Sequence, residues 1–181
     1  MREWVIMGLL VAGLALVTSC SNSPDASAPQ APETTDGLKA QINTALETAK
    51  AGDEAKLAEL VKAMILPDYE AWFKEVLGDD AGAAVAKDYA DHVGEFVPGL
   101  GKVFTELINK QPFEIIVSKL ENPDDKACRG LQRDVLRKMK KAVPLYDVRF
   151  RGNSIGMSVW SFVYAKGAFR FAGQMEPAVK D

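Results

Sequence analysis

Apolar residues recur at helical spacing through the first two-thirds of the chain and at strand spacing near its end. Leu38, Ile42, Leu46 and Ala49 lie on one face of a helix expected to begin after Asp36. Gly52 is a natural stop, and Asp53 offers a side-chain oxygen to the free N–H groups of the next helix. Leu57, Leu60, Val61, Met64 and Ile65 make a second stripe, so the two helices are expected to fold as a hairpin. Leu66-Pro67-Asp68 breaks and restarts the pattern, with Asp68 as the cap. Tyr69, Trp72, Phe73, Val76 and Leu77 then share the face of a short helix ended by Gly78. Asp79-Asp80 opens a longer helix with Val85, Tyr89, Val93 and Phe96 inward and His92 at the edge of that face. Pro98, flanked by Gly94, Gly99 and Gly101, is expected to kink or interrupt it, because proline cannot donate the helical hydrogen bond. Leu100, Val103, Phe104, Leu107 and Ile108 carry the pattern on toward Pro112.

The period then changes. Phe113, Ile115 and Val117 alternate with Glu114, Ile116 and Ser118, as in a strand. Asn122-Pro123-Asp124-Asp125 is a turn, followed by a helix expected from about Lys126 to Ala142 with Cys128, Leu131, Val135, Met139 and Ala142 inward. Tyr146, Val148 and Phe150 alternate with Asp147, Arg149 and Arg151, a strand with one wet face. Gly152-Asn153-Ser154 turns the chain into a long strand from Ile155 to Tyr164. Strict alternation puts Trp160, Phe162 and Tyr164 on one face of it and Val159 and Val163 on the other. Ala165-Lys166-Gly167 reads as a tight hairpin leading to Phe169 and Phe171. Helices first and strands after predict an α+β fold, with N-terminal helices packed on a curved, mostly antiparallel C-terminal sheet. The predicted organisation is a segment 1–19, a tether 20–36, one α+β domain over 37–173, and a loose tail over 174–181.

The apolar run from Trp4 to Val17 is shorter than the roughly 20 residues that a bilayer span needs, and it suits the apolar region of a signal peptide. Val17-Thr18-Ser19-Cys20 closes it and resembles the lipobox of bacterial lipoproteins. That resemblance implies a diacylglyceryl group on the Cys20 thiol, cleavage before Cys20 by signal peptidase II, and acylation of the new amino group. Several acyl chains hold firmly where one does not, since each buried methylene is worth about 0.8 kcal/mol. Ser21 in place of an aspartate resembles an outer-membrane sorting signal, so the expected location is the cell envelope, on the periplasmic face of the outer membrane. Residues 21–36 are rich in Ser, Pro and Ala and too poor in large apolar groups to fold alone, as a tether between membrane and domain would be.

With 181 residues, 48% of them hydrophobic and 26% charged, the chain can form one ordinary core. The net charge of −3 gives no global reason to expect nucleic acid. There are two cysteines; with Cys20 lipidated, Cys128 is a lone thiol, expected to be buried. No phosphate-binding loop, dinucleotide glycine pattern, nucleophile elbow or zinc spacing occurs, and a single histidine excludes multi-histidine metal sites, so neither metal nor cofactor is expected. Two constellations remain. Asp88 stands four residues before His92, a spacing at which a carboxylate can orient an imidazole. Arg129, Arg133, Arg137 and Lys141 repeat every four residues, a basic stripe able to dock on anionic headgroups or an acidic partner.

The element order, helices followed by hairpin-linked strands over 37–173, resembles the cone of the cystatin-like superfamily, which includes the nuclear-transport-factor-two and SnoaL-like groups. The helix within the strand region departs from that pattern. The segments PLYDVRF and WSFVYAKGAFRFAG are similar to the ends of bacterial lipoproteins of no assigned activity. The resemblance implies a domain that often holds an apolar pocket. The leading expectation is therefore a non-enzymatic, lipid-anchored module that binds a ligand or partner. The alternatives are a SnoaL-like enzyme using His92 and Asp88 as acid and base, which requires a buried His92 facing a closed polar cavity, and an interaction protein using the basic stripe.

Overall fold

The computed structural model describes residues 30–153 and 155–179. The lipobox, Cys20, most of the tether, Ser154 and residues 180–181 lie outside the described residues, as does the side chain of Trp160. In chain order the elements are α1 (Thr35–Lys50), α2 (Glu54–Ala63), α3 (Tyr69–Leu77), α4 (Asp79–Ile108), β1 (Phe113–Leu120), α5 (Gly130–Lys138), β2 (Leu145–Gly152), β3 (Ile155–Ala165) and β4 (Ala168–Phe171), closed by a 3₁₀ turn, Glu176–Ala178. The strands form one antiparallel sheet in the order β1-β2-β3-β4. The fold is α+β.

Local signals explain most boundaries. The Thr34 side chain accepts from Gly37 N–H at 3.0 Å, so α1 starts slightly earlier than Asp36. Asp53 caps α2 through Lys56 N–H at 3.0 Å. Asp68 precedes α3 but makes no cap bond; its backbone is left-handed and its carboxylate pairs with Lys166. Between β3 and β4, Lys166 and Gly167 both have positive φ, the signature of a two-residue hairpin turn that matches the strand twist.

Four expectations are corrected. Pro98 does not interrupt α4, whose helical hydrogen-bond pattern continues from Asp79 to Ile108. Pro98 and Gly94 are both exposed, so the carbonyl that loses its N–H partner meets water, while Leu100 and Phe104 pack inward and hold the helix. Helix α5 covers only Gly130–Lys138 instead of Lys126–Ala142. Gly130 has φ +52°, which starts the helix late, and Met139 is extended, which ends it early. Lys140 and Lys141 then give their N–H groups to the Val76 carbonyl, at 2.7 and 3.2 Å, and Ala142 is exposed. Strand β2 has a wet face only at Arg149 and Arg151, because Asp147 is 2% exposed. Residues 174–179 are not a loose tail: Met175 and Ala178 are buried against α4 and α5.

A fifth correction concerns the faces of β3. Tyr146 pairs with Phe162, but Val148 pairs with Val159, so two residues of β3 oppose Asp147 alone. This bulge reverses the alternation. Val159 therefore shares a face with Phe162 and Tyr164, and all three pack with the first of two cores.

That first core packs α1, α2 and the C-terminal half of α4 against Val148, Phe150, Phe162 and Phe169. The second joins α3, the N-terminal half of α4, α5 and the final turn to Leu120, Leu145 and Val163. Arg170 is also buried, 2% exposed, with its guanidinium donating to the Ala63 and Ala165 carbonyls. A buried cation needs such acceptors.

Candidate functional site

One face of α4 and the first half of β3 enclose an open groove of about 470 Å³. The helix contributes Val85, Asp88, Tyr89, His92, Phe96, Leu100 and Val103, which recur every three or four residues and so share one face. The sheet side is Met157, Ser158 and Val159, with the segment from Phe171 to Glu176 closing one end. The volume falls within the range of roughly 300–1,000 Å³ usual for small-molecule sites. Phe96, Val103, Met157, Val159 and Phe171 are only partly buried and make its walls mostly apolar.

Packing on both sides of α4 holds the groove in shape. Tyr89 donates its hydroxyl to the Phe171 carbonyl at 2.8 Å and accepts from Leu66 N–H at 3.0 Å, tying α4 to β4 and to the chain before α3. Burial pushes the Tyr89 hydroxyl up to about 12. A run of ring contacts, Phe73–Tyr89, Tyr89–Phe96, Phe96–Phe171 and Phe171–Phe162, crosses from α3 to the sheet with centroids 5.1–5.6 Å apart.

His92 and Asp88 stand in this groove, at its rim. Nδ1 of His92 lies 2.7 Å from the Asp88 main-chain carbonyl and 3.8 Å from its carboxylate. The Asp88 carbonyl, in hydrogen-bond contact, is the main cause that holds His92 above its ordinary pKa, with the carboxylates of Asp88, Glu95 and Asp91 adding to it. The side chains of His92 and Asp88 are 54% and 50% exposed. The imidazole is thus set by the backbone instead of the carboxylate, in water, beside an open apolar groove. His92 is therefore not the buried histidine facing a closed polar cavity that the SnoaL-like alternative calls for.

The basic stripe is not one helical face. Arg133 and Arg137 lie within α5, Arg129 is its cap residue, and Lys141 follows its end. Each also has a local partner. Arg129 donates to the Lys126 carbonyl at 3.2 Å and Arg133 to the Cys128 carbonyl at 2.8 Å. Arg137 pairs with Asp124 at 2.9 Å and Lys141 with Glu75 at 2.5 Å. Cys128 is buried just before α5, where desolvation raises its thiol pKa and leaves it unreactive. Among the described residues no group of His, Cys, Asp and Glu side chains is arranged to hold a metal ion, and no helix is long and apolar enough to cross a membrane.

Compared with known protein families, curated proteins and solved structures, the chain matches none. Its site therefore has to be read from its own geometry. Val103, Met157 and Ser158 had no distinguishing signal in the sequence as site residues. The helical face from Val85 to Val103 was visible as a stripe, but a stripe does not say that part of it stays open.

Proposed function

We propose that the protein is a lipid-anchored component of the bacterial cell envelope whose single domain is a non-enzymatic binding module, with the α4–β3 groove as its binding site. The open, mostly apolar groove is the observation that carries this reading. Partly exposed aromatic and aliphatic walls with a few polar groups at one end are what ligand sites usually present. The exposed, backbone-bonded His92 argues against the enzymatic alternative. The division of the basic stripe, with two of its cations paired to carboxylates, argues against docking through α5. The anchor rests on Val17-Thr18-Ser19-Cys20.

Two experiments test the proposal. The full chain, purified from bacterial envelopes in mild detergent, is expected to bind the neutral dye Nile red with a saturable rise in fluorescence. Val103→Asp, which places a charge on the groove wall, should weaken this at least tenfold while leaving the circular dichroism spectrum unchanged. Dye binding that Val103→Asp does not alter would move the apolar site elsewhere. For the anchor, intact mass and fatty-acid labelling should show an acylated chain beginning at Cys20, whereas Cys20→Ala should keep residues 1–19 and take up no label. An unlabelled wild-type chain would remove the lipoprotein reading.

A further inference from the structure

The groove beside α4 is long for its volume. Its lining residues on α4 run from Val85 to Val103, and at a rise of about 1.5 Å per residue that stretch covers about 27 Å. Spread over this length, the volume of about 470 Å³ gives a mean section of about 17 Å². Apolar groups in contact stand about 4.0–4.5 Å apart, so a single file of carbons takes a section of roughly 16–20 Å². The groove is therefore one carbon chain wide. Three bonds of extended backbone cover about 3.5 Å, roughly 1.2 Å per bond, so about 27 Å accepts roughly sixteen to twenty carbons in line.

The lining has the chemistry that suits such a chain. Val85, Tyr89 and Leu100 are its buried members, and the Tyr89 hydroxyl is already bonded to Leu66 and Phe171. Met157 and Met175, unbranched and polarizable, can follow the contour of a flexible occupant. The polar side chains of the lining, Asp88, His92, Ser158, Gln174 and Glu176, are all exposed. The groove thus aims no unpaired polar side chain at the middle of its occupant. A ligand with polar groups along its length would bury them without partners, which is costly. A peptide, with an N–H and a C=O at every residue, fits poorly for that reason, and a fused-ring ligand of equal volume is too thick for the section. Asp88 and His92 lie on the N-terminal half of α4, whereas Leu100 and Val103, across from Met157 and Val159, form the apolar end.

We propose that the groove holds one long acyl chain, extended along α4. The tail end lies between Val103 and Met157, and the head group stays in water at the end marked by Asp88 and His92. A free fatty acid and the tail of a membrane lipid present the same chain, and the groove recognises that shared part. The section admits one chain and excludes two side by side. The inference deepens the proposed function and depends on the groove being the binding site.

The full chain is extracted and kept in CHAPS below its critical micelle concentration, since the steroid rings of that detergent are thicker than one chain. Lysophosphatidylcholines with tails of ten, twelve, fourteen and sixteen carbons are titrated by calorimetry. Affinity should rise about two- to fourfold with each methylene, because each one added is taken out of water. Val103→Trp, which fills the apolar end, should weaken the sixteen-carbon tail at least tenfold and leave the ten-carbon tail within twofold. A diazirine at the tail end of the sixteen-carbon lipid should label wild-type chain at 100–103 or 157–159, which keeps the test independent of any variant. Palmitic acid binding as tightly as the lipid means that the chain alone is read; binding of the lipid only assigns the tail of a membrane lipid. Both results support the proposal. Affinity that does not change with tail length, cholate binding as tightly as the sixteen-carbon tail, or labelling outside these residues overturns it. Nile red binding that Val103→Asp abolishes, with no acyl chain bound, overturns the acyl-chain reading and leaves the groove as a site for another ligand. Loss of both binding signals removes the two readings together.

Discussion

Gly82→Ala is expected to cost about 3 kcal/mol, at the upper end of what overpacking one methyl group usually does. Gly82 lies in the first turn of α4, buried against α3. A Cβ there would stand 2.5 Å from Lys74 Cα, 2.6 Å from Lys74 N and 2.6 Å from the Phe73 carbonyl oxygen. All three are main-chain atoms, so no rotamer change relieves the clash. The two helices must separate, and Phe73, which is fully buried between them, must move with them. Thermal unfolding followed by circular dichroism should show a midpoint lowered by roughly 6–12 °C for a domain of this size. A variant within 2 °C of wild type would mean that the α3–α4 contact is looser than the structure has it. The effect should extend to the groove, because Tyr89 and His92 are carried on the same helix.

Tyr89→Phe is expected to cost about 2–3 kcal/mol at neutral pH. The ring remains, but Leu66 N–H loses its acceptor in buried surroundings and the partly buried Phe171 carbonyl loses a donor. The loss should shrink in alkali, and the sign follows from linkage. Burial raises the Tyr89 hydroxyl to about 12, against about 10 in the unfolded chain. Between those values the folded state holds the proton more tightly. The stabilisation by the neutral hydroxyl is thus complete below pH 10 and is lost as pH rises through 12. At pH 11 the gap between wild type and Tyr89→Phe should be smaller than at pH 7 by about 1.4 kcal/mol. Urea unfolding of both proteins at pH 7, 10 and 11 measures this directly. A gap that stays constant would mean that the Tyr89 hydroxyl is hydrated in the folded protein.

The sequence by itself determined the fold class and most of the element list. Helical stripes at Leu38–Ala49 and Leu57–Met64 and strand alternation at Phe113–Val117 are local signals, and the buried residues fall where the period puts them. The same local reasoning placed Asp53 as a cap and Lys166-Gly167 as a turn, because capping and positive φ depend on neighbours within four residues. It also selected the stripe on α4 that became a groove wall, and it set Asp88 beside His92.

Only the tertiary structure decided what those features do. Pro98 breaks an isolated helix, but here water solvates the freed carbonyl while the inner face of α4 is packed on the sheet. The bulge opposite Asp147 reversed the faces of β3, since a single unpaired residue shifts every side chain beyond it. Gly130 with φ +52° and the docking of Lys140 on Val76 cut α5 short and divided a stripe that is continuous in the sequence. Asp88 and His92 have the right spacing for a catalytic pair, yet exposure and the Asp88 carbonyl govern the imidazole. The groove between α4 and β3 and the sealing of β4 by Gln41, Met64 and Tyr89 join residues far apart in the chain. Contacts of that range depend on how the sheet meets the helices, which local periodicity does not encode.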